Sequence, residues 1–325
     1  GSTQSINQAG NSTFQPDFAW IKNRDAADAH ALFDAVRGAT KVISSNATTA
    51  EDTNADTLTA FESDGFALGD DVIVNTNNES YVAWQWLAGN SSGSTNDDGS
   101  VDSTVTANTT AGFSVVKYTP GTGAQTWGHG LGVAPKMVIV KEIGQAVNWQ
   151  VYHESSGAGG KLFLNTTAAY AADTGIWNNT APTSSLVSTG SGINTANPFI
   201  AYCFAEIPGY SSIDSYTGNG SANGPMIFTN GMKPAFIIVK RAVGGTGNWG
   251  MFDIKRDPIN PADAVLDADS NGAEASYSTI DIDFLSNGFK VRGTQSNINA
   301  SGSTYIYMAF GSPIGGDGVA PATAR

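Results

Sequence analysis

The sequence predicts an all-β chain of tandem β-sandwich repeats, and three observations carry the prediction. The first is strand periodicity. In the run Tyr81–Trp86, Val82, Trp84 and Trp86 point one way and Tyr81, Ala83 and Gln85 the other, and alternating β-branched and aromatic residues suit a pleated strand. The second is recurrence: Ile200, Tyr202 and Phe204, then Ile306, Met308 and Phe310, repeat that alternation. The third is composition. Only 14% of residues are charged and 38 are Gly, with Gly, Asn and Ser clusters roughly every 8–15 residues, as the many turns of a sandwich require.

Taken in order along the chain, residues 1–13 read as a polar N-terminal segment. The first repeat, 14–89, opens on PDFAWIKNR and closes on SYVAWQW. Residues 90–111 are rich in Ser, Asn and Thr and read as a linker. The second repeat, 112–207, opens on PKMVIVKEI and closes on PFIAYCF, and the third, 208–313, opens on PAFIIVKRA and closes on TYIYMAF. Residues 314–325 are a Gly/Ala-rich tail. The openings put Lys22, Lys141 and Lys240 roughly a hundred residues apart, a period that marks a repeat architecture. Smaller matches reinforce it: Ser63-Asp-Gly-Phe with Ser286-Asn-Gly-Phe, and Asn148-Trp149 with Asn248-Trp249. A lead-in motif, GFSVVKYTPGTG at Gly112, recurs as SSIDSYTGNGS at Ser211 and is missing before the first repeat, so the chain reads as beginning partway through a longer protein. Only Asp25–Val36 offers a helical pattern, and its alignment with NWGMFDI favours strand for its second half. The three units are expected in a row, each with its own core.

The formal charge of −13 argues against nucleic acid, whose phosphates need a basic patch, and no apolar run is long enough to span a bilayer. Cys203, the single cysteine, lies in the apolar run PFIAYCF and reads as a small buried hydrophobe.

The strings PDFAWIKNR, HALFDAVRG, LTAFESDGFALG and SYVAWQWLAG, with the lead-in GFSVVKYTPGTGAQTWGHGLGVAPKMVIVK, resemble a repeat of virion proteins from marine bacteriophages, particularly those infecting cyanobacteria. The resemblance runs from Phe14 to about Pro313 and implies a tail-fibre or related virion surface protein with a lectin-like or jelly-roll-like sandwich. It also implies other virion proteins as partners, a homotrimer, and a place on the phage particle, and it carries over no catalytic residue.

Function must be argued from sites. A sugar ring stacks on a flat apolar face, so aromatics in loops are the candidates for a host glycan or outer-membrane receptor: Trp177 with Asn178 and Asn179, and Trp127 with His129. The run Asp267, Asp269, Asn271 reproduces the alternate oxygen ligands of a calcium loop, with Glu274 as the nearest further acid, and reads as a weak calcium site or a polar turn. No other cofactor is called for. Asp281 and Asp283 share one face of a strand, the spacing a polysaccharide depolymerase would need, against Ile280, Ile282 and Phe284 on the buried face. The N-x-T strings at Asn46 and Asn165 follow from composition. The leading expectation is a non-enzymatic adhesin. A purely structural virion part and a depolymerase are the alternatives.

Overall fold

The computed structural model describes residues 1–8 and 13–313. Almost every element is an antiparallel β-strand, and each repeat is a two-layer sandwich. The inner sheet of each is built on an opening strand: Phe18–Asn23, Met137–Glu142 or Met232–Val243. Each opening strand pairs on one side with a second strand (Ala31–Asp34, Gln150–His153, Trp249–Asp253) and on the other with a closing strand (Tyr81–Trp86, Phe199–Phe204, Thr304–Pro313).

Alternation then decides what each face does. Val82, Trp84, Trp86 and their counterparts face a single core to which all three repeats contribute. The opposite face of each inner sheet packs on a small outer sheet and closes a private core: around Phe33 and Phe66 in the first repeat, Tyr118 and Trp127 in the second, Phe252 and Phe289 in the third. The opening strands Phe18–Asn23 and Met137–Glu142 are therefore buried on both faces, and each fully buried large side chain contributes roughly 1.5–3 kcal/mol.

The repeats do not follow one another in a row. They close a ring. His30 of the first repeat meets the Asp267 carbonyl of the third through Nε2 at 3.1 Å. At the equivalent place Trp149 of the second donates to the Ser44 carbonyl of the first at 2.9 Å, and Trp249 of the third to the Phe163 carbonyl of the second at 2.8 Å. A second ring joins the same pairs in the same sense, from each closing strand to the neighbouring repeat's second strand: Tyr202 donates to Asp34, the Tyr307 carbonyl meets His153 Nε2, and Trp84 donates to Asp253. Trp86, Phe204 and Phe310 form a triangle with centroid separations of 6.1, 5.7 and 5.9 Å. Three equivalent residues in mutual contact mark a pseudo-threefold axis.

Two of the three landmark lysines tie one repeat to the next in this ring, and Lys22 donates to the Asn23 and Ala26 carbonyls of its own repeat. All three are buried, and burial lowers their pKa to about 8. Their ammonium groups donate to main-chain carbonyls, so the buried charge is hydrogen-bonded. Lys141 reaches Thr48 of the first repeat at 3.2 Å and Lys240 reaches Thr166 of the second at 3.1 Å.

Several expectations change. Residues 90–111 are not a free linker: Ser94–Asn96 and Ser103–Asn108 are strands that extend the second repeat's inner sheet. Their β-branched Val and Thr residues were masked by the polar average of the stretch. The polar start also belongs to the first repeat, since Gln4–Ile6 pairs with Gly65–Leu68 in its outer sheet. In the segment with a helical pattern, Ala31–Asp34 is strand and no helix forms. Among the described residues two one-turn α-helices lie elsewhere, Val72–Asn75 and Ser296–Asn299. They occupy equivalent places, and a single turn is too short to show helical periodicity. The tail 314–325 lies outside the described residues.

Candidate functional site

Trp177 is 1% exposed, inside the second repeat's private core and edge-on to Tyr152 at 5.8 Å. Trp127 is equally enclosed and stacks on Tyr118 at 4.6 Å. Neither offers a ring face to a ligand. Trp127 lies in the outer-sheet strand Gln125–Gly128 and Trp177 in a turn, and the Gly- and Asn-rich neighbours of both concealed their burial. Asn178 and Asn179 are exposed beside Trp177, both with left-handed backbone. His129 is buried. Its Nδ1 accepts from the Leu131 amide and its Nε2 donates to the Thr183 carbonyl, an arrangement of the neutral ring, and burial lowers its pKa.

The calcium-like motif is a structural corner. Asp269 Oδ1 accepts the Trp249 amide at 2.7 Å, as Asn165 accepts the Trp149 amide and Asn46 the His30 amide in the other repeats. Asp267 accepts from the Asn248 side chain, and burial raises its pKa to about 6. Asn271 donates to the Ala27 carbonyl. Glu274 bridges Arg24 and Arg256, each at 2.7 Å. Asp267 through its carbonyl, Asn271 and Glu274 thus hold the third repeat to the first, while Asp269 braces the corner within the third. Among the described residues, no three His, Cys, Asp or Glu side chains are grouped to hold a metal ion. Of the paired carboxylates, Asp281 is 9% exposed rather than solvent-facing, and Asp283 lies 3.6 Å from Arg292. Ile280, Ile282 and Phe284 are buried as expected.

The site that sequence reasoning missed is a groove between the first and third repeats. In the second repeat a lead-in strand, Phe113–Tyr118, covers the outer edge of the closing strand, and in the third Ser211–Thr217 does the same. The closing strand of the first repeat has no such cover among the described residues: its sheet ends on Tyr81–Trp86. A groove of about 420 Å³ lies there, with Trp84, Phe236 and Phe310 along it and Asp253 and Lys255 at its side. It continues past Gln8 and Phe14. Trp84 is 8% exposed where its equivalents Tyr202 and Met308 are 1% and 3%. Phe236 is 7% exposed where Phe18 and Met137 are each 1%. The absent lead-in motif was the sequence signal for this place.

A family model matches residues 1–313, which takes in all three repeats together. The chain belongs to the family described as a domain of unknown function, DUF7483. That DUF7483 extends across the whole ring agrees with the shared core, since no one repeat closes that core alone. No curated protein and no solved structure matches the chain.

Proposed function

We propose that the chain is a non-enzymatic structural part of a phage virion surface, a rigid three-lobed block seated among other virion proteins. One observation carries this reading over the adhesin: the tryptophans and histidine that a glycan site would use, Trp177, Trp127 and His129, are built into the second repeat's interior. The resemblance of the repeat strings to virion proteins supplies the virion setting. The acidic surface fits a particle exterior better than a nucleic-acid-facing lining.

Two measurements on one preparation test it. Mass spectrometry of purified phage particles encoding the chain should find it at stoichiometric copy number. A glycan array probed with the purified protein should stay silent. Array binding lost on Asn178→Ala and Asn179→Ala would return the adhesin to first place, and absence from particles would overturn the virion assignment.

A further inference from the structure

Among the described residues no strand pairs with the free edge beside the groove on the first repeat, and the same molecule shows twice how such a place is filled. In the second repeat Phe113, Val115 and Lys117 lie opposite Phe204, Tyr202 and Ile200. In the third, Ser211, Ile213 and Ser215 lie opposite Phe310, Met308 and Ile306. Val115 and Ile213 enter the shared core, whereas Val116 enters the second repeat's private core. A lead-in strand thus inserts a β-branched residue toward the axis and shields the closing strand's backbone edge.

We propose that the edge of Tyr81–Trp86 is a strand-acceptor site, and that its occupant is an extended polypeptide segment of the lead-in kind from outside residues 1–325. It pairs antiparallel, with its first residue opposite Trp86 and a β-branched third residue opposite Trp84. This is strand addition to an open sheet edge: main-chain hydrogen bonds hold the strand, and alternate side chains give selectivity. The floor is already apolar, with Trp84, Phe236 and Phe310 where Val115 or Ile213 would pack. The burial pattern shows what is lacking. Tyr81, Val82, Ala83 and Gln85 are half-buried, while every residue of Phe199–Phe204 is buried. The site deepens the assembly reading by giving the block a definite means of attachment, yet its test does not depend on particles.

The experiment adds synthetic peptides to the intact 325-residue protein: residues 112–119, GFSVVKYT, and residues 209–217, GYSSIDSYT. Titration calorimetry should give saturable one-to-one binding. Hydrogen exchange should slow at the amides of Tyr81–Trp86 and stay unchanged in Phe199–Phe204. The same peptide N-methylated at alternate backbone positions, or carrying Val115→Asp, should bind at least tenfold more weakly. Absence of binding, equal binding by the N-methylated peptide, or a protein dimer in which Tyr81–Trp86 is already protected would each overturn the proposal. If the peptide binds while the protein is absent from particles, the site stands and the virion reading falls.

Discussion

Arg37 shows how a single side chain serves two repeats at once. Its guanidinium pairs with buried Asp34 at 2.5 Å and donates to the Leu32 and Lys41 carbonyls, and Asp34 in turn accepts from Tyr202 of the second repeat. Arg256 and Asp253 repeat the arrangement, with Trp84 as the donor from the neighbouring repeat. Removing one partner leaves an uncompensated buried charge. Arg37→Ala should therefore lower stability by about 3–5 kcal/mol in urea unfolding, whereas loss of the more exposed Lys41 should change it by less than about 1 kcal/mol. Asp269→Asn should behave oppositely to a metal-ligand change. Asn does the same work at Asn46 and Asn165, so the variant should melt at or above the parent temperature, and calcium should shift neither protein. The buried imidazoles set a pH dependence. His153 is held neutral, its pKa lowered to about 4 mainly by burial, while in the unfolded chain it protonates near its ordinary value of 6.5. Its stabilisation is complete above that value and is lost as pH falls toward 4, by up to about 1.4 kcal/mol per pH unit. Buried Asp267, raised to about 6, opposes the trend below pH 6. The stability gap between the parent and His153→Gln should accordingly narrow on acidification from pH 6.5, and parallel profiles would contradict the assignment.

Among the elements, the outer-sheet hairpins explain why one repeated motif reads so clearly. Gly65 and Gly288 stand where a Cβ would come 1.9 and 2.0 Å from the Ile6 and Ile227 carbonyl oxygens of the neighbouring strands. Only Gly admits that approach. Gly288→Ala should push Met226–Phe228 off the sheet, visible as faster amide exchange there and a lowered melting temperature. The second repeat lacks the Gly-Phe turn, and its outer sheet has two strands where the others have three. Much of this was legible. Alternation in the closing strands told which residues face which layer, and the Pro-apolar-Lys openings located the central strands. What stayed hidden was partnership. Trp84 and Tyr118 look alike as strand aromatics, but one faces the axis and the other a private core. Trp177 sits among polar residues and still plugs an interior, and Asp269 mimics a metal ligand because carboxylate and amide oxygens cap the same amide. Local sequence encodes which groups a residue can offer. The ring determines which of them remain free.

For the whole molecule, the claim is that three sandwiches fold as one body because their inner faces share a core. The triangle of Trp86, Phe204 and Phe310 belongs to no repeat alone. Phe204→Ala should cost about 3–5 kcal/mol, and the loss should appear in all three repeats rather than in the second only. Independent sandwiches on a string would confine the damage. Scanning calorimetry of the intact chain tests this most directly. One transition, with a calorimetric enthalpy equal to the van't Hoff enthalpy, is the predicted result. Separate transitions, or a calorimetric enthalpy about three times the van't Hoff value, would show repeats that melt on their own and would contradict the shared core.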